Sequence, residues 1–136
     1  MNGYQYVVLR CVPRVEREEF VNVGVVLFCH ALDFLDSASH VDDARLRALD
    51  PGVDVSSVRR ALRGVQEVCA GSARLDLAVG SRATAYGTRE VADTPSTRFG
   101  LLRAPRSTVV QPGPVHGGLT DDPAAALARL ARLYAG

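Results

Sequence analysis

The chain has 136 residues, 47% hydrophobic and 23% charged, with sixteen basic against fifteen acidic side chains and a formal charge of +1. That length suits one domain burying roughly two-thirds of its unfolded surface, and the composition excludes extensive disorder. The near-neutral balance argues against nucleic-acid binding through a strongly basic surface, although Arg59, Arg60, Arg63 and Arg98 could form a local patch.

The opening "MNGYQYVVLRCV" shows no secretory leader. The longest apolar run, "VGVVLFC", falls far short of the roughly 20 residues of a membrane helix. Cys11, Cys29 and Cys69 are widely spaced and lack zinc-ligand spacing, which predicts buried free thiols in a reducing cytoplasm.

Residues 4 to 12, "YQYVVLRCV", are rich in β-branched and aromatic types and predict a strand ended by Pro13. "PRVEREEF" carries five charges in eight residues and reads as a connection or a short helical turn. "VNVGVVLFC" then resumes strand composition, so the two runs predict an antiparallel pair joined by a wide loop. Asn22 interrupts the second run, with Gly24 two residues on. A polar side chain among buried strands needs a partner, and the glycine marks a close approach by another segment, for which "RSTVVQ" is the expected neighbour.

A third strand is expected at 33 to 38 and a short helix at 42 to 49, closed by "DPG". At 56 to 70, Val58, Ala61, Leu62, Val65, Val68 and Cys69 recur at helical spacing, with Ser56 as the expected cap and Gly71 as the stop. Residues 71 to 93 show no sustained period and read as a long loop or flap, with room for a short strand at 75 to 79. Thr94 and Pro95 start a helix that ends before Pro105. "STVVQ" is a short strand within a proline- and glycine-rich stretch that must otherwise run over a surface or edge. A last helix begins with Asp121 or Asp122 as cap and Pro123 in its first turn. The sum is a single α+β domain, an antiparallel or mixed sheet packed by three to four helices.

Two segments carry polar residues that folding alone does not require: "RVEREEFVN", with Glu19 and Asn22, and "PRSTVVQPGPVHGG", with Arg106, Ser107, Gln111 and His116. Arg106 offers a planar fork to a carboxylate or phosphate, and its simpler use is a salt bridge between the two segments. His116 is the candidate acid or base, although a lone turn histidine is more often structural. Ser107 with His116 and Asp121 or Asp122 lacks the surroundings of a nucleophile elbow. His30, His40 and His116 are too scattered to predict a metal site, and no glycine stretch fits a phosphate loop or a dinucleotide fingerprint, so no cofactor is expected.

The segments "YVVLRCVPRVEREEFVNVGVVLF" and "LLRAPRSTVVQPGPVHGGLTDDPAAALARL" together resemble the domain of unknown function 3037 family over nearly the whole chain. Residues 71 to 93 are longer here than the resemblance leads one to expect. The family pattern falls on Arg10, Pro13, Glu19, Asn22, Gly24, Pro105, Arg106, Ser107, Gln111, His116, Gly118 and Asp122, and it assigns none of them a role. The resemblance implies a small bacterial protein, often encoded beside a HipA-like kinase. Two functions are therefore expected. One is a non-catalytic partner or regulatory module, with that kinase as the candidate partner. The other is a small enzyme or binding domain for an anionic ligand, using Arg106 and His116 with Ser107, Gln111, Asn22 and Glu19.

Overall fold

A computed structural model describes residues 1 to 71, 93 to 106 and 108 to 136. The expected loop at 71 to 93, with its strand at 75 to 79, and Ser107 lie almost wholly or wholly outside the described residues. The strands are β1 (Asn2–Cys11), β2 (Val21–Cys29), β3 (Phe34–Ser39), β4 (Val110–Pro112) and β5 (His116–Thr120). The helices among the described residues are α1 (Asp43–Leu49), α2 (Val55–Ala70), α3 (Pro95–Leu102) and α4 (Pro123–Ala135), and a 3-10 turn occupies Val15–Arg17. The fold is α+β, and every strand pairing among the described residues is antiparallel.

The sheet runs β3, β2, β1, and then β4 and β5 end to end along the remaining side of β1. It is covered on both faces, which is why β1 and β2 read as near-continuous apolar runs. On one face Val7, Leu9 and Cys11 of β1 pack with α1, α2 and α3 through Leu46, Val58, Leu62, Phe99 and Leu102. On the other, Tyr4, Tyr6 and Val8 pack with α4 through Ala126, Leu127 and Leu130. The Phe28 and Phe99 rings stack with centroids 5.3 Å apart, which ties α3 to the sheet.

A β-bulge organises the end of the sheet nearest the connection. Leu9 faces Gly24 but Arg10 faces Asn22, so Val23 is one residue extra on β2. The slip places Val21 and Val23 with Val26 and Phe28 in a single core although their numbers differ in parity. Strict alternation would have turned two of the four outward. Asn22 is thereby left directly opposite Arg10.

Gly24 is explained by its other neighbour. A Cβ there would lie 2.9 Å from the Ala38 carbonyl oxygen and 3.3 Å from the Ser39 Cβ. The segment that approaches is β3, not the expected "RSTVVQ". Along the edge, Tyr6 faces His116 and Leu9 faces Pro112, so the β4 to β5 path also carries one extra residue. It is accommodated at Gly113, whose amide donates to the Val8 carbonyl at 2.8 Å. The strand β5, "HGGLT", has too much glycine to announce itself by composition, and pairing with β1 makes it a strand.

The cap of α2 is Asp54, not Ser56. Its carboxylate accepts from the Ser57 amide at 3.2 Å and from the Ser57 hydroxyl at 2.7 Å. Thr94 closes a capping box with Thr97 at the start of α3, and Asp122 caps α4.

Candidate functional site

Arg10 lies on the same side of β1 as Tyr4, Tyr6 and Val8, since alternate strand residues share a face. Where those three are buried beside α4, Arg10 continues the row as a charge. Its cross-strand partners are Asn22 on β2 and Gln111 on β4, so three polar residues stand side by side over three strands. The guanidinium carbon sits 4.2 Å from the centroid of the Phe20 ring, a cation–π contact. Beneath it is Gly113, where a Cβ would come 3.0 Å from the guanidinium carbon and 3.1 Å from Nε. A side chain at this position would push the guanidinium aside by a few tenths of an ångström.

Arg10 Nε is buried and has no hydrogen-bond partner. Among the described residues no acid stands within ion-pair distance of the guanidinium. Two acids of the connection are paired with arginines of the same segment: Glu19 with Arg17 at 2.6 Å and Glu16 with Arg14 at 3.1 Å. A hydrogen bond from its own backbone amide, and then one from the Arg14 side chain, hold the Glu16 carboxyl below its ordinary range. Gln111 Nε2 donates to the Thr108 carbonyl at 2.8 Å, which steadies the loop entering β4. A half-buried cation with no counter-charge among the described residues, and with polar side chains on both sides, has donors that suit a carboxylate or phosphate.

The other candidates are placed differently. Arg106 donates to the Leu101 carbonyl at 2.8 Å, so it bonds the last turn of α3 instead of forming the expected salt bridge. His116 opens β5 with its ring 5.3 Å from that of Tyr6. The two therefore belong to opposite faces of the sheet, Arg106 with α3 and His116 with the α4 side. Around His116, the Tyr6 and Tyr134 hydroxyls lie 3.2 Å apart and Arg129 approaches the Tyr4 hydroxyl at 3.4 Å. The Tyr134 hydrogen bond and burial push the Tyr6 phenol up to about 12, so it stays protonated at neutral pH. Gly118 is required there because a Cβ would run into the Tyr4 ring. Among the described residues no group of three His, Cys, Asp or Glu could hold a metal ion.

The family profile described as "Protein of unknown function (DUF3037)" matches residues 6–135. The chain belongs to this family. No curated protein and no solved structure matches it. For this family member the residue that organises the polar row is Arg10, which sequence reasoning noted as part of the pattern but did not assign to a site. The signal was present: an arginine inside "VVLRCV" is as foreign to a strand covered on both faces as Asn22 is to "VNVGVV", and the two are register partners.

Proposed function

We propose that this member of the family is a binding module for an anionic group, a carboxylate or a phosphate, received by Arg10 between Asn22 and Gln111. The observation that supports the reading is a guanidinium with a buried, unpartnered Nε that packs against Phe20 and Gly113 and has no counter-charge among the described residues. An incoming anion would supply that counter-charge at the terminal nitrogens of the guanidinium, while Phe20 and Gly113 pack against it. Glu19 and Arg17, ion-paired next to Phe20, would set which anions approach. This reading does not use Arg106, which bonds the last turn of α3, or His116, which pairs with Tyr6. The three buried thiols support a reducing, cytoplasmic setting.

A protein partner is the second reading, favoured by Phe20, an aromatic ring 44% exposed beside the cation. An acidic side chain of the partner would then take the place of the free anion, and a HipA-like kinase is the partner that the sequence resemblance names. Amide NMR titrations with inorganic phosphate and with acetate test the first reading. Shifts centred on Arg10, Asn22, Gln111 and Gly113, and lost in Arg10→Met, are expected. Shifts that persist unchanged in Arg10→Met, or silence with both anions, would overturn it. Co-expression with a HipA-like kinase separates the readings, because a complex that Arg10→Met abolishes places the anion on a protein.

A further inference from the structure

On the opposite face of the sheet, between α2 and the connection from β3 to α1, a cleft of about 450 Å³ is lined by His40, Val41, Arg59, Leu62, Arg63 and Gln66. We propose that it is a second binding site, one that takes a phosphate monoester with a small apolar body. Its floor is apolar: Leu62 is buried in the core and Val41 packs against the same cluster. Its rim is basic. Arg59 and Arg63 are one helical turn apart on α2, so both side chains leave the same face of the helix, and His40, just past β3, lines the same cleft.

The charges at the rim do not cancel. Asp43 is the acid nearest Arg59, at 2.7 Å, and it also lies 3.8 Å from Arg47, so one carboxylate is shared by two cations. Arg63 has no ion pair among the described residues. Gln66 is committed elsewhere, accepting from the Ser37 hydroxyl at 2.5 Å and donating to Asp36 Oδ1 at 2.9 Å. It therefore closes the end of the cleft against β3 and leaves recognition to the arginines. Two guanidinium groups a turn apart match the oxygens of a phosphate dianion, and Leu62 and Val41 match a ring or short alkyl group attached to it. A bare anion would leave the floor unused, and a neutral aromatic would leave Arg63 uncompensated.

The experiment is an amide NMR titration of the whole chain with phenyl phosphate, with phenol and inorganic phosphate alongside. Shifts at residues 40 to 43 and 59 to 66 are expected with phenyl phosphate, at least tenfold tighter than with either fragment. Arg63→Glu, at an exposed position, should weaken that binding at least tenfold while its amide spectrum elsewhere stays native. Added salt should weaken the wild-type complex. Arg10→Met should leave it unchanged, which keeps this site distinguishable from the one on the other face. Equal affinity in Arg63→Glu and wild type, phenol binding as tightly as phenyl phosphate, or shifts confined to the surroundings of Arg10 would each overturn the proposal.

Discussion

The guanidinium carbon of Arg10 lies over the Phe20 ring, 4.2 Å from its centroid, and among the described residues no ion pair competes with this contact. The contact holds the planar fork across the polar row, with Gly113 on its other side. Removing the ring while keeping apolar bulk should loosen the fork without unfolding the strand. In Phe20→Leu, the loss of about 0.5–1 kcal/mol of cation–π energy at a partly exposed site predicts anion affinity reduced about two- to fivefold, read by the phosphate titration.

Gly24 tests the packing of β2 against β3. A Cβ 2.9 Å from the Ala38 carbonyl oxygen meets backbone, which cannot swing aside as a long side chain would. Gly24→Ala should therefore cost about 1–3 kcal/mol, the range for overpacking a tight interior, seen as a lower urea midpoint with an unchanged slope. An alanine variant as stable as wild type would mean that the β3 edge yields freely.

Acid stability should depend in part on Asp54. Its hydrogen bonds from the Ser57 side chain and backbone hold the carboxyl below its ordinary value. A carboxylate depressed in the folded state stabilises above its unfolded pKa, and the contribution fades as pH falls through the folded value. Asp54→Asn keeps a capping side chain but cannot titrate. It should remain close to wild type at neutral pH and lose less stability between about pH 4 and pH 2, the acid side of the unfolded carboxylate, followed by circular dichroism during acid titration.

Alkaline behaviour carries the opposite sign. Burial pushes the Cys11 and Cys69 thiols up to about 11, so the folded state holds protons that the unfolded chain gives up earlier. Stability from these groups is complete below the ordinary thiol range and is lost as pH rises from about 9 towards 11. The same burial predicts that an aromatic disulfide reagent at pH 8 leaves Cys11 and Cys69 unlabelled in the native protein, while urea exposes both. Rapid native labelling of Cys11, which is 0% exposed, would contradict the packing of β1 against the helices.

The regular elements were legible because local chemistry and tertiary context agree. Val21–Cys29 is the strand that composition predicts, and Thr94, Pro95, Asp122 and Pro123 mark helix starts by the stereochemistry of capping. Ser56 was misleading because Asp54, two residues earlier, offers a charged acceptor to the same first turn. β5 escaped because glycine-rich edge segments acquire strand geometry from their neighbour. The polar row was half legible. Asn22 and Gln111 stand in it, but their convergence on Arg10 depends on the bulge at Val23, and one residue of register has no signature in composition. Arg106 and His116 are close in sequence, yet a sheet lies between the features they contact.

The central claim is that Arg10 is retained for a ligand and not for the fold. Equilibrium urea unfolding of Arg10→Met, measured with and without inorganic phosphate, addresses it most directly. Methionine keeps the apolar stem and removes a half-buried charge that has no counter-ion among the described residues, so the exchange should be neutral or mildly stabilising. The variant should therefore be at least as stable as wild type without phosphate and should lose the added stability that phosphate gives the wild-type protein. A variant destabilised by more than about 2 kcal/mol, well beyond a neutral exchange, or one still stabilised by phosphate through the polar row, would contradict the account.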